Sequence, residues 1–229
     1  EGGGVGRLLR QVWFLDGGRA PRRQVASMGR AIIHDLDTAR NAKEWVDAYR
    51  VALTLAVRYP DRVLTIRYED FLADQESTLR KVCHFFGIEY LPQMLDVTRS
   101  REAQQLSGMS ALWASNCFAP IAANADKFKT QLSMRDIEVI ETLASDYMAL
   151  YGYELMTDAQ AVISDSTMAH SRECSETAKR HAWHDLERDD YQDFLLRRFR
   201  ADYLQQVRNR LEDLSIVVAG DAGDAVSIA

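Results

Sequence analysis

Arg19-Ala20-Pro21-Arg22-Arg23-Gln24-Val25-Ala26-Ser27 is the stretch on which the fold turns. It follows the apolar run Val12-Trp13-Phe14-Leu15, which reads as a buried strand within residues 7–16, ended by Gly17-Gly18. Pro21 marks a turn into a short helix within 19–34, because proline is tolerated in the first helical turn. A helix N-terminus offers unpaired N–H groups and the positive end of the helix dipole, so it suits an anion. Arginines there add planar forks that match phosphate oxygens, and a serine one to two turns on can donate to the same group. The same residues fit an ordinary basic, solvated helix start equally well.

Downstream, Trp45, Ala48, Tyr49, Ala52, Ala56 and Tyr59 recur three or four apart, which predicts a helix over 41–59 that Pro60 stops. Val63-Leu64-Thr65-Ile66-Arg67-Tyr68 is short and β-branched and reads as a second buried strand. Strand, helix and strand in this order form a piece of an α/β pattern. Residues 75–86 read as a helix with Asp74 as N-cap and Gly87 at C′, its apolar face carrying Leu79, Val82, Cys83 and Phe86. Residues 88–132 have weak periodicity, with Pro92, Pro120 and several polar stretches, and read as short helices and loops. Ser133 with Asp136 three residues later resembles a capping box, and Ile137, Ile140, Ala144, Tyr147, Met148 and Tyr151 line the helix it opens.

After about residue 156 the composition shifts. Residues 157–178 read as a polar linker and 179–214 as a charge-dense helical segment. Its stripe Leu204, Val207, Leu211 and Leu214 is expected to pack on the preceding domain rather than on a partner. Ile216-Val217-Val218-Ala219-Gly220 reads as a short strand. The expected domains are therefore 7–156 and a 157–229 extension.

The chain has 229 residues, 47% of them hydrophobic and 27% charged, which is ordinary globular composition. No run approaches the ~18 apolar residues of a membrane span. With 28 Lys and Arg against 34 Asp and Glu, the net charge is −6, which excludes a generic nucleic-acid binder that neutralises phosphates with a basic face. Cys83, Cys117 and Cys174 are too few and too scattered for a disulfide framework or a zinc site, and point to a reducing, cytoplasmic setting. The five histidines do not cluster at ligand spacing; His181 and His184 read as a surface-helix pair. No metal is expected. No G-x-x-x-x-G-K-[ST] loop and no G-x-S-x-G elbow occurs.

The strand, the Arg-x-Pro-Arg pattern and a serine eight positions after Arg19 resemble the 3′-phosphate motif of sulfotransferases, which use 3′-phosphoadenosine 5′-phosphosulfate (PAPS). Arg19 and Ser27 match its two phosphate ligands, while Ala20 stands where the family usually has aspartate. Arg67-Tyr68-Glu69-Asp70-Phe71-Leu72 resembles the family's Tyr-Glu-Asp-Leu segment, and the resemblance places Tyr68 near the adenine. Phe85-Phe86-Gly87-Ile88 is similar to the family's Phe-Leu-Gly. Pro120-Ile121, Lys127-Phe128 and Leu132-Ser133 resemble the late segment in which a basic–Trp pair precedes a Leu-Ser helix start. Lys127 becomes a second phosphate contact there, with Ser115 or Asn116 assisting, and Phe128 replaces the tryptophan. Tyr151-Gly152-Tyr153 matches the family's terminal Gly-Tyr.

The resemblance covers about residues 8–155 and is greatest to a bacterial branch that includes tyrosylprotein-sulfotransferase-like sequences. It implies an α/β fold, a P-loop-type parallel sheet flanked by helices, of which this chain carries the C-terminal part. The family's Pro-Lys-Ser-Gly-Thr-like 5′-phosphosulfate loop and its catalytic base belong upstream of Arg19, so no catalytic residue is assigned. The implied activity is sulfuryl transfer from PAPS to an acceptor hydroxyl or amine of unspecified identity. The competing expectations are a non-catalytic relative whose C-terminal helices bind a partner and, less favoured, another P-loop-fold transferase or kinase.

Overall fold

The computed structural model describes residues 14–109, 117–118 and 126–213. Strand β1 (Phe14–Gly18) runs parallel to β2 (Val63–Arg67), with Phe14 opposite Val63, Asp16 opposite Thr65 and Gly18 opposite Arg67. A parallel pair needs a crossover. Here it is made by helices α1 (Pro21–Met28) and α2 (Thr38–Arg58). After β2 come α3 (Tyr68–Ala73) and α4 (Gln75–Phe86), two 3₁₀ turns at Pro92–Leu95 and Val97–Arg99, and α5 (Arg101–Ser107). Beyond them lie α6 (Phe128–Gln131), α7 (Met134–Leu150), α8 (Asp165–Asp189) and α9 (Tyr191–Asp213). The architecture is mostly helical around a small parallel sheet, a partial α/β arrangement.

The strand does not stop at Gly17-Gly18 as expected from sequence; it runs through both. A Cβ on Gly18 would sit 3.1 Å from the Tyr49 hydroxyl, so the glycine permits a close approach of α2 to the strand end. Tyr68 also departs from expectation, as it opens α3 instead of ending β2. Glu69 and Asp70 in that first turn complement the helix dipole.

Helix α2 begins at Thr38, three residues before the expected start, because the Asp37 side chain accepts from Arg40 N and caps it. Its buried face is Ala39, Ala42, Trp45 and Tyr49; Ala48 is exposed. Helix α4 forms as expected, with Asp74 accepting from Ser77 N and Gly87 in the left-handed region at φ 67°. The Ser133–Asp136 capping box is complete.

The core lies where α1, α2 and α7 meet. Trp45 and Tyr49 stack at 3.8 Å between ring centroids and pack against Ala144, Met148 and Tyr153. Val25 meets Ala42 and Ile140, and Ala26 meets Phe128 and Ile137. Removing a side chain as large as Trp45 from such a core costs about 3–5 kcal/mol.

The expected polar linker over 157–178 is a helix from Asp165 onward, with Ser164 capping it through Thr167 N. Its buried positions are Ser171 and Ser175, so it docks on α2 through small polar residues and leaves no apolar period to read. Among the described residues helix α9 packs on α8, with Trp183 edge-on to Phe194 at 5.9 Å. Leu204 of the expected stripe is 47% exposed. The side chains of Leu211 and Leu214, and the expected strand at 216–220, lie outside the described residues, as do residues 1–13.

Candidate anion-binding site

The site is built from the backbone of Arg19 outward. Trp45 Nε1 donates to Arg19 O at 3.0 Å, and the Tyr49 hydroxyl donates to the same oxygen at 2.9 Å while accepting from Arg19 N. Burial pushes the Tyr49 hydroxyl well above the usual tyrosine value, so it stays protonated and remains a donor. Two aromatic side chains of α2 thus fix the residue between β1 and α1.

The start of α1 is already neutralised from within the protein. Pro21 occupies its first turn, and Ala20 supplies no side-chain cap. Glu69, on α3, takes that role: its Oε1 accepts from Ala20 N at 3.1 Å and from Arg23 Nη1 at 2.9 Å, and its Oε2 accepts from the Tyr153 hydroxyl at 3.1 Å. Glu69 therefore stands in for the carboxylate that Ala20 lacks. Arg22 is committed as well. It pairs with the buried Glu141 and donates through Nη2 to Glu154 O at 2.9 Å, and its guanidinium lies over the Phe128 ring. The helix start and the arginines Arg22 and Arg23 are thus paired with internal carboxylates.

Arg19 differs. Among the described residues it makes no ion pair, and its Nε is buried without a hydrogen-bond partner. Its guanidinium lies over the Tyr68 ring, 5.1 Å from the centroid, a cation–π contact worth about 0.5–1 kcal/mol that orients the fork. Arg19 lines a cleft of about 320 Å³ together with Gln24, Ser27, Met28, Ala31, Ile33 and His34. The cleft runs along the flank of α1. Arg19, Ser27 and Gln24 supply guanidinium, hydroxyl and amide donors there, the set that binds phosphate oxygens.

Three of the residues singled out in the sequence come together here: Arg19 and Ser27 in the cleft, and Tyr68 beneath Arg19. Lys127 does not join them. It is exposed at the start of α6 and is absent from the cleft lining, while its neighbour Phe128 anchors that segment in the core. Ser115 and Asn116 lie outside the described residues. Glu69, Trp45, Tyr49 and His34 were not identified from sequence as site residues. Glu69 stood in a recognised motif, whereas Trp45 and Tyr49 read only as a core face. Among the described residues no group of His, Cys, Asp or Glu is placed to hold a metal ion.

Residues 17–92 match the family model described as "Sulfotransferase family", a span that contains Arg19, Ser27, Tyr68 and Glu69 but not Lys127. The chain is 31% identical over 114 residues to carbohydrate sulfotransferase 2 of Mus musculus and of Homo sapiens, covering 48% of this chain and 21% of each relative. It thus spans about a fifth of the length of these curated relatives. No solved structure matches. The similarity supports the sulfotransferase superfamily, not the branch of tyrosylprotein-sulfotransferase-like sequences expected above.

Proposed function

We propose that this chain supplies the donor-nucleotide site of a sulfotransferase that moves a sulfuryl group from PAPS to an acceptor hydroxyl or amine. One observation carries the reading: a guanidinium that has no carboxylate partner among the described residues and the Ser27 hydroxyl share one cleft at the end of a parallel strand. That pair fits a 3′-phosphate, whose oxygens accept from a fork and a hydroxyl at once. When bound, PAPS supplies the activated sulfuryl group. The chain's own work is binding and orientation. Arg19 holds the phosphate, its backbone locked by Trp45 and Tyr49, and Tyr68 offers a flat face beside it for the adenine. Holding a donor in one geometry is where much of the rate of group transfer arises. The P-loop arrangement of the complete sheet belongs to the same proposal. The carbohydrate sulfotransferases among the relatives favour a saccharide hydroxyl as acceptor.

Calorimetry with adenosine 3′,5′-bisphosphate tests it. A hydrogen bond to a charged group contributes about 1.5–3 kcal/mol. Arg19→Ala is therefore expected to weaken binding by about 10- to 150-fold. Adenosine 5′-phosphate, which lacks the 3′ group, should bind wild type and variant alike. Equal bisphosphate affinity in the two proteins would overturn the assignment.

A second reading, nucleotide binding without catalysis, draws on the α8–α9 pair, where Phe199 is 76% exposed alongside Leu195 and Tyr203. A partner-binding module would bind the bisphosphate yet transfer no sulfuryl group to any saccharide offered.

A further inference from the structure

One wall of the cleft is the connection between α1 and α2, which contributes Ala31, Ile33 and His34. It forms no helix or strand of its own. Left alone, such a segment pays backbone entropy of roughly 1–2 kcal/mol per residue to hold one shape. Its shape is fixed from a distant part of the sequence. Ser175 on α8 is fully buried; its Oγ donates to Asp35 Oδ1 at 2.9 Å and accepts from Leu36 N at 3.0 Å. One turn further along α8, Lys179 Nζ lies 2.8 Å from the same Oδ1. Arg40 Nε donates to Asp35 Oδ2 at 2.9 Å, and the buried Asn41 Nδ2 donates to Asp35 O at 2.6 Å. Asp35, which follows His34 directly, is thus gripped at both carboxylate oxygens and at its carbonyl.

The electrostatics agree with this geometry. Burial pushes the Asp35 carboxyl up, but the hydrogen bonds from Lys179 and Ser175 and the charges of Lys179 and Arg40 outweigh it and leave it below the ordinary carboxylate value. The carboxylate is therefore ionised across the neutral range and holds three donors at once.

We infer that α8 is a positioning element of the donor cleft, with Ser175 and Lys179 acting through Asp35 to set the wall carrying Ala31, Ile33 and His34. This rests on the reading of the cleft as the donor-phosphate site. Neither residue touches the cleft; both act on the chain segment that does. Because docking of α8 and filling of the cleft share one element, each favours the other by the same factor. Bound nucleotide should therefore tighten α8 against the loop.

The test uses the full chain and adenosine 3′,5′-bisphosphate. Lys179→Ala is expected to raise Kd by about 5-fold or more, the lower end of couplings between linked sites, and Lys179→Arg to restore it. Ser175→Ala should act in the same direction. Arg180→Ala, on the same helix and bonded to Thr177, should leave Kd unchanged. In wild type, bisphosphate should slow amide exchange in 171–179, and this slowing should disappear in Lys179→Ala. A purely structural contact would lower stability without moving Kd or making α8 exchange ligand-sensitive. If wild type binds the bisphosphate, Arg19→Ala loses it, and the Lys179 and Ser175 variants bind like wild type, this inference fails and the donor site stands. If Arg19→Ala binds like wild type, the donor-site reading fails, and this inference with it.

Discussion

Glu141 sits in the middle of the buried face of α7, with none of its side chain exposed, and pairs with Arg22, whose side chain is 11% exposed. Its oxygens also accept from Met156 N at 2.9 Å, Thr157 N at 2.8 Å and Thr157 Oγ1 at 2.6 Å. Glu141→Gln keeps the shape and removes the charge. One of the two oxygens becomes an NH₂ group, which faces donors instead of accepting from them, and the Arg22 guanidinium loses its counter-charge. Removing one member of a buried ion pair costs about 3–5 kcal/mol, and leaving a buried N–H without an acceptor about 1–3 kcal/mol. These overlap, so the expected loss is about 3–5 kcal/mol, a large share of the ~5–15 kcal/mol that holds a domain. Urea unfolding followed by fluorescence measures it as a fall in midpoint at constant slope. Arg22→Met alone should cost a similar amount, because it leaves the buried carboxylate without its counter-charge. The double variant Arg22→Met/Glu141→Gln should recover about 1–3 kcal/mol relative to the sum of the single losses. A loss below about 1 kcal/mol for Glu141→Gln, or strict additivity in the cycle, would refute the reasoning.

Gly18→Ala would place a methyl 3.1 Å from the Tyr49 hydroxyl, which is held by both the N–H and the carbonyl of Arg19. It is expected to cost about 1–3 kcal/mol of stability and to weaken bisphosphate binding; an unchanged Tm together with unchanged Kd would show that Tyr49 moves freely. Acid should release two anchors. The Asp136 carboxyl, like that of Asp35, is held below its ordinary value: burial pushes it up, and bonds from the Ser133 side chain and backbone and from Thr38 outweigh this. Both groups have folded values below their unfolded ones, so their stabilisation is present above about pH 4 and disappears as pH falls through the folded values. Asp35→Asn should therefore be less stable than wild type at pH 7, and the gap should shrink below pH 4; a gap independent of pH would contradict the assignment. Ser133→Ala, removing one half of the capping box, should cost about 1 kcal/mol by urea unfolding, and a loss under ~0.3 kcal/mol would speak against the cap.

Much of the local structure was legible because its causes are local. Asp74 and Gly87 bound α4, the Ser133–Asp136 box opens α7, and Val63 to Arg67 pair as a strand. Arg19 and Ser27 were legible as a pair because their spacing belongs to one motif. Interactions that depend on distant partners were not legible. Nothing local to Glu69 announces Ala20 and Arg23 as its partners, and Glu141 was not singled out at all, since its partner Arg22 lies 119 positions away. Gly17-Gly18 reads as a stop until Tyr49 shows why a side chain is excluded. The early part of α8 escaped because it buries serines, and hydrophobic periodicity carries no record of a helix docked by hydroxyls.

The grip of Ser175 on Asp35 joins residues 140 positions apart, which has a consequence in time as well as in space. At roughly 5–20 residues per second, a ribosome delivers Ser175 roughly 7–28 s after Asp35. Arg19 and Ser27 enter the world early and wait beside an unfastened wall. A nascent chain halted before Ser175 would carry Arg19 and Ser27 and still lack the hydroxyl that grips Asp35 beside their cleft. The distance in sequence thus acts as a delay line: on the reading proposed above, the nucleotide cleft is complete only once the helix that braces it has been made.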